Sequence, residues 1–135
     1  MDEQATLQLV PALRAPRAAR AFVAETLTAW DVQGDAVEAT KLVVSELVTN
    51  AVLHSPESAT ISLDLRLNDG AVRVLVTDGG LAEPKRRAPP DSSTAESGRG
   101  VRLVEAFTEQ WGTETHGVDG KTVWCELGAD GPTTR

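Results

Sequence analysis

The sequence predicts an α/β (α+β) two-layer sandwich, a mixed, mainly antiparallel sheet covered on one face by three helices. Two observations predict this fold class. Apolar and polar residues alternate with a period of two on either side of Asn68-Asp69-Gly70. Three other segments space their apolar residues as one face of a helix does, at 17–30, 35–54 and 101–111. The order strand, helix, helix, hairpin, loop, helix, hairpin fits one sheet with helices on one side.

The N-terminal third predicts one strand and two helices. Thr6 to Leu9 alternate polar and apolar side chains, which indicates a short half-buried strand. Pro16 suits the first turn of a helix, expected from Arg17 to Trp30. Its apolar stripe comprises Ala19, Phe22, Val23, Leu27 and Trp30. Gly34-Asp35 opens a second helix that is expected to run to about His54, where Ser55-Pro56 closes it.

The C-terminal half predicts a hairpin, a lid, a third helix and a second hairpin. Residues 79–99 lack periodicity, as functional lids often do. A third helix is expected after Gly100, with Gly112 as its stop. Strands at Thr113–His116 and Lys121–Leu127 would complete a single domain over residues 1–135. Residues 128–135 are expected to form a flexible tail.

Composition excludes several classes of function. A net charge of −7 argues against a duplex nucleic-acid binder, which needs a basic face. No segment approaches the roughly 20 apolar residues of a membrane span. Cys125 is the only cysteine, so no intramolecular disulfide forms. We therefore expect a cytoplasmic protein that binds neither nucleic acid nor membrane.

Glu46 and Asn50 lie four residues apart on the second helix, so they occupy one face of it. Apolar neighbours surround them, and a buried carboxylate or amide needs a partner. Taken alone, the pair is better explained by Glu46 facing solvent and Asn50 capping a neighbouring loop.

Asp78 follows Val72, Val74 and Val76 at the same parity, which points it toward the apolar face. A carboxylate there needs hydrogen-bond donors, and the exocyclic amine of adenine is one. A turn of Asp78 back onto the amides of Gly79-Gly80 is about equally consistent with the pattern.

Two glycine motifs are weak when taken singly. Gly98-Arg99-Gly100 precedes a predicted helix, where free N–H groups favour an anion. Gly120-Lys121-Thr122 looks like the end of a P-loop, but Thr115 replaces the first glycine and a strand follows.

In order, these motifs resemble the Bergerat-fold ATPases of gyrase, histidine kinases and mismatch-repair proteins. Within them, the small size and the continuation SGRGVRLVEAFTEQWG resemble the anti-sigma-factor serine/threonine kinases. The resemblance covers roughly residues 5–127 and implies ATP and Mg²⁺ as cofactors. The motifs that carry it are Glu46-x-x-x-Asn50-Ala51-x-x-His54, Asp78-x-Gly80, Gly98-x-Gly100 and Gly120-Lys121-Thr122.

The resemblance also implies roles for individual residues. Glu46 would act as the general base and Asn50 would coordinate the magnesium ion. Asp78 would hold the adenine amine, Gly80 would line the base and Thr122 would support the adenine side. The phosphates would be wrapped by Gly98, Arg99, Gly100 and Val101. Ala82 replaces a family glycine, and Glu96 stands where a basic residue would help phosphate transfer.

Three functions follow as hypotheses. The first is an anti-sigma factor that phosphorylates a serine or threonine of an antagonist protein and binds a sigma factor in the alternative state. The second is a catalytically weak module in which ATP shapes a binding surface for some other partner. The third is a histidine-kinase catalytic domain, disfavoured because no helical segment with a phosphoacceptor histidine precedes the site in these residues. A homodimer is compatible with all three.

Overall fold

The computed structural model describes residues 2–32, 34–54, 60–78, 108, 110–115 and 120–129, and every structural statement below refers to these. They form five strands and two helices. The elements are β1 (Glu3–Leu9), α1 (Ala15–Ala29), α2 (Asp35–His54), β2 (Ile61–Asn68), β3 (Ala71–Asp78), β4 (Gln110–Thr115) and β5 (Lys121–Gly128).

The five strands form one sheet in the order β1-β2-β3-β5-β4. Every pairing between neighbouring described strands is antiparallel. The expectation of a mixed sheet is therefore wrong for the described strands, while the two-layer α+β architecture is confirmed. Short connections join β2 to β3 and β4 to β5, and such connections reverse the chain direction, whereas β1–β2 and β3–β5 pair across longer segments.

Both described helices lie on the same face of the sheet. On α1 the residues at every fourth position are buried, namely Ala15, Ala19, Val23 and Leu27. Because residues four apart stack on one side of a helix, this face packs on β1 and α2. Helix α2 packs in turn on β3 and β5. The core between the layers includes Val43, Val48, Leu63, Leu65 and Val74, each 0% exposed.

The central hairpin confirms the prediction made from its turn. Asp69 and Gly70 have φ values of 52° and 76°. Two successive positive φ values characterise the type I′ turn, whose twist matches that of the flanking strands. The register then runs without interruption from Asn68 opposite Ala71 to Ile61 opposite Asp78.

The predicted third helix needs correction at its end. Most of it, residues 101–107, lies outside the described residues. Trp111 and Gly112, expected in its last turn, lie in β4, which begins at Gln110 and not at Thr113. Gly112 is not one of the described glycines that have a positive φ. It lies opposite Trp124, whose indole occupies the space that a side chain at 112 would fill. The glycine is therefore required for packing and not for ending a helix.

The face of the sheet away from the helices is polar. Thr6 donates a 2.6 Å hydrogen bond to Asp64, and Arg66 pairs with the same carboxylate at 3.1 Å. Arg73 bonds Glu126 at 3.0 Å and lies 4.6 Å from the centre of the Trp124 ring. These polar pairs, two of them between neighbouring strands and one along β2, leave this face suited to water, so the apolar core forms on the helical side alone.

Residues 128 and 129, which were expected in a flexible tail, belong to the sheet. Strand β5 extends to Gly128, and the amide of Ala129 donates a 2.8 Å hydrogen bond to the carbonyl of Gly70. The sheet therefore holds the first two residues of that segment, and residues 130–135 lie outside the described residues.

Candidate functional site

Asp78 is the carboxylate around which the candidate site is built. It ends β3, and its residue exposure is 7%. Because side chains alternate along a strand, Asp78 shares the face of Val72, Val74 and Val76, all buried beneath the helices. The prediction that this carboxylate points toward the helical layer is confirmed. A buried carboxylate at the end of an apolar strand is suited to accept hydrogen bonds from a ligand.

Helix α2 contributes the second polar group of the site. Glu46 and Asn50 are both half-buried, and they lie one helical turn apart. They border the buried stripe of the helix, which contains Val43 and Leu47. Leu53, which belongs to the apolar surroundings of the pair in sequence, is 54% exposed. Glu46 and Asn50 therefore occupy the edge of the stripe, accessible from solvent and adjacent to the core.

Helix α1 lies along a different side of α2. Arg20 of α1 donates a 3.0 Å hydrogen bond from Nη1 to Oγ of Ser45. At 100° per residue, Glu46 and Asn50 lie about 100° and 140° around the helix axis from Ser45. The edge that carries the acid and the amide is thus not the edge against which α1 packs at Ser45.

Chain connectivity brings Asn50 and Asp78 to the same end of the sheet. Only six residues separate His54, the last residue of α2, from Ile61, the first of β2. Ile61 is the register partner of Asp78. Six connecting residues span at most about 20–25 Å, and α2 packs on β3, so the end of α2 that carries Asn50 lies toward the end of β3 that carries Asp78.

Strand β5 presents Lys121, and not Thr122, to the Asp78 face. In the β3–β5 register, Asp78 is opposite Lys121 and Thr77 is opposite Thr122. Paired residues of an antiparallel sheet project to the same side. Thr122 is 6% exposed, and its hydroxyl lies 2.7 Å from that of Thr77. The structure therefore does not bring the side chain of Thr122 to the helical face, where it was expected to support adenine.

The sequence patterns gave Lys121 no role, because the glycine-lysine-threonine motif does not fit a P-loop and the family resemblance pointed to Thr122 alone. The signal that finds it is the register between β3 and β5. That register depends on how two distant hairpins pair, so the sequence spacing does not contain it.

The remaining predicted site residues lie outside the described residues. These are Gly80, Gly98, Arg99, Gly100 and Val101, together with the lid at 79–99. Their expected roles at the base and the phosphates stay predictions. The described part of the site consists of Asp78, Glu46, Asn50 and Lys121.

Cys125 lies on the same face of β5 as Lys121 but belongs to the core. Burial raises the pKa of its thiol to about 12, and the nearby charge of Glu126 acts in the same direction. Since thiolate is the reactive form, this cysteine is a packing residue and not a nucleophile.

The donor set is compatible with a magnesium nucleotide. The amide oxygen of Asn50 is a hard ligand of the kind Mg²⁺ accepts, and its half-buried position keeps it open to the cleft. Mg²⁺ commonly takes only one or two protein ligands and completes its shell with phosphates and water. The buried Asp78 is acceptor-only when ionised, which suits an exocyclic amine.

The fold is that of a histidine kinase-like ATPase domain. The sequence matches the family described as histidine kinase-like ATPase domain over residues 9–126. The chain belongs to this family.

The chain is also similar to individual known proteins. Anti-sigma F factor of Priestia megaterium is 31% identical over 93% of this chain and 92% of its own length. Anti-sigma F factor of Geobacillus stearothermophilus is 31% identical over 80% of each chain. Among solved structures, the RsbU and RsbW domains of Rv1364c from Mycobacterium tuberculosis superpose with a TM-score of 0.69 at 23% identity. That match covers 93% of this chain and 32% of the longer one, and it supports the fold.

Among the described residues, neither helix has the length and apolar content needed to cross a membrane.

Proposed function

We propose that this protein is an ATP-binding anti-sigma factor that phosphorylates a serine or threonine of an antagonist protein and otherwise binds a sigma factor. The observation that carries the proposal is the buried Asp78 carboxylate on the helical face, at the end of the sheet to which Asn50 returns. Similarity to two anti-sigma F factors, over 93% and 80% of this chain, supports the choice of partners. The cytoplasmic location expected from the sequence stays part of this proposal.

Adenine would be held by Asp78. A carboxylate with 7% exposure accepts a hydrogen bond from an amine more strongly than one in water, because the local dielectric constant is low. The amine at adenine C6 provides that donor. A purine with a carbonyl at this position would place oxygen against oxygen, so the contact also discriminates between purines.

Transfer would depend on Glu46 and Asn50. Asn50 would hold the magnesium ion, which neutralises charge on the phosphates when it is bound. Glu46, one helical turn earlier and half-buried, would accept the proton of the incoming hydroxyl. Because phosphoryl transfer requires little covalent chemistry from the protein, the role of α2 is to hold these two groups in fixed relation.

The metal assignment is tested with Asn50→Ala. We expect Mg-ATP affinity to fall by at least tenfold, which corresponds to about 1.4 kcal/mol, because the variant lacks the side-chain ligand. Asn68→Ala is the matched control, since Asn68 is the other asparagine of the chain and lies exposed at the hairpin. Titration calorimetry with and without Mg²⁺ measures both. Equal affinity in wild type and Asn50→Ala would show that Asn50 is not a metal ligand.

The base assignment is tested with Glu46→Gln. We expect ATP binding to persist while phosphate transfer to the antagonist drops by about 10²–10⁴-fold, the usual contribution of a general base. Glu38→Gln on the same helix is the control, because Glu38 is exposed and pairs only with Lys41 on the surface at 3.6 Å. Radiolabel incorporation from γ-labelled ATP is the measurement. Similar incorporation by Glu46→Gln and wild type would remove Glu46 from the mechanism.

The alternative is an ATP-dependent binding module without efficient transfer. Ala82 and Glu96 favour it, because the family shows glycine at the first position and a basic residue would aid transfer at the second. A pull-down from native cytoplasm with and without ATP, followed by incubation of the captured partner with labelled ATP, separates the two. Nucleotide-dependent capture without labelling would favour the binding module.

A further inference from the structure

Lys121 is the charged side chain closest in register to the buried Asp78. The two residues are direct partners of the β3–β5 pair and project to the same, helical side of the sheet. We propose that the Lys121 ammonium donates a hydrogen bond to N1 of adenine while Asp78 accepts one from the neighbouring amine. This inference rests on the proposed ATP-binding function and identifies a base-selecting residue within it.

The position of Lys121 suits contact with a ligand. It is exposed, while Asp78 across from it is 7% exposed, so the ammonium lies at the rim of a site whose floor is the carboxylate. Cβ atoms of directly opposed residues are about 4.5–5.5 Å apart, well within reach of a lysine side chain. The ion pairs among the described residues use Lys41, Arg66 and Arg73 as cations, which leaves the Lys121 ammonium available.

The backbone at this point directs the strand into the site. Gly120, immediately before Lys121, is buried and has a φ of 106°, a conformation that side chains rarely adopt. The chain therefore enters β5 through a bend that only glycine accepts easily. Lys121 is the first side chain after that bend, and it lies at the same end of the sheet as Asp78.

The chemistry of the two groups matches one edge of adenine. A carboxylate only accepts hydrogen bonds and an ammonium only donates them. Adenine presents an amine donor at C6 beside the N1 acceptor. Guanine presents a carbonyl acceptor at C6 beside an N1–H donor, so both contacts would become repulsive. The Asp78–Lys121 pair thus recognises the order of donor and acceptor along this edge of the base. Asp78 alone recognises only the group at C6.

Thr122 does not serve this purpose with its side chain. Its hydroxyl lies 2.7 Å from that of Thr77, on the opposite face of the sheet. Among the side chains of β5 described on the helical face, Val123, Cys125 and Leu127 are apolar or buried in the core. Lys121 is therefore the residue of this strand that provides a polar contact on the helical face.

The test compares ATP with 1-deaza-ATP, in which a C–H group replaces N1 while the amine is kept. For the wild-type chain we expect ATP to bind about tenfold more tightly, the effect of one hydrogen bond to a charged donor at a partly exposed position. In Lys121→Met this preference is expected to fall to about onefold, through weaker binding of ATP only. Lys41→Met removes a half-buried lysine of α2 that pairs with Glu38, and it is expected to keep the wild-type preference. Calorimetry with both nucleotides is the measurement.

Three results would overturn the inference. A wild-type chain that binds both nucleotides equally shows that N1 is not read. Equal weakening of both nucleotides in Lys121→Met shows that the ammonium acts on the phosphates. An unchanged preference in Lys121→Met shows that another group reads N1. Failure of the wild-type chain to bind either nucleotide would instead refute the proposed ATP binding, and the inference with it.

Discussion

Replacing Gly112 with alanine tests the packing of the outer sheet edge. A Cβ atom at position 112 would lie 2.9 Å from Cζ2 of Trp124 and 3.0 Å from both Cε2 and Nε1. Real Cβ atoms essentially never approach other atoms this closely. Because three atoms of one rigid ring are affected, the whole indole must move. Movement would disturb the Arg73 guanidinium, which lies 4.6 Å from the ring centre and also bonds Glu126.

The expected cost combines three contributions. Overpacking of a well-packed site costs about 1–3 kcal/mol, and loss of a partly exposed cation–π contact adds about 0.5 kcal/mol. Alanine also has less conformational freedom than glycine in the unfolded chain, which stabilises the folded state by about 0.4–1 kcal/mol. We therefore expect Gly112→Ala to lower the free energy of unfolding by about 0.5–3 kcal/mol. Urea unfolding followed by far-ultraviolet circular dichroism measures this value.

A double-mutant cycle identifies the cause. In a Trp124→Val background the ring is absent, so Gly112→Ala is expected to be neutral or slightly stabilising. If Gly112 instead ended a helix, alanine would cost the same with and without the tryptophan. Equal costs in the two backgrounds, or no cost in the wild-type background, would refute the packing argument.

Two further predictions concern the hairpin turn and the buried thiol. Gly70→Ala is expected to lower the free energy of unfolding by about 1 kcal/mol because of its φ of 76° alone, since no atom lies within 4 Å of the added Cβ. Urea unfolding measures this loss, and an unchanged midpoint would contradict the prediction. Since the thiol of Cys125 has a pKa of about 12 when folded and 9.0 otherwise, its contribution to stability is complete below pH 9 and is lost toward pH 12. Between pH 9 and pH 12 the free energy of unfolding of the wild type should therefore fall by up to about 1.4 kcal/mol per pH unit more than that of Cys125→Ala. Parallel curves of stability against pH for the two proteins would contradict this prediction.

Short-range patterns predicted much of the fold. The hairpin of β2 and β3 followed from a period of two and an Asp-Gly turn, both of which act within a few residues. The bounds of α2 followed from Gly34-Asp35 at its start and from Ser55-Pro56 after its end. Strand parity placed Asp78 on the apolar face but left a turn onto Gly79-Gly80 about equally consistent, so its burial on the helical side was decided by the structure.

Longer-range features resisted prediction. Gly112 and Trp111 fit a helical stripe as well as an edge strand, because short apolar runs carry both periods. The mixed sheet was expected where all described pairings are antiparallel, since strand order depends on packing between hairpins. Thr122 was assigned to adenine because a motif gives spacing without stating which face of the sheet each residue occupies.

The sequence by itself determined the local elements, the turn between β2 and β3, and the acid and amide one helical turn apart. These depend on interactions between near neighbours in the chain. Only the tertiary structure decided that Lys121 faces Asp78 and that Gly112 makes room for Trp124. Those pairings arise when distant strands align to bury a shared apolar face, and a slip of one residue would reverse every side chain.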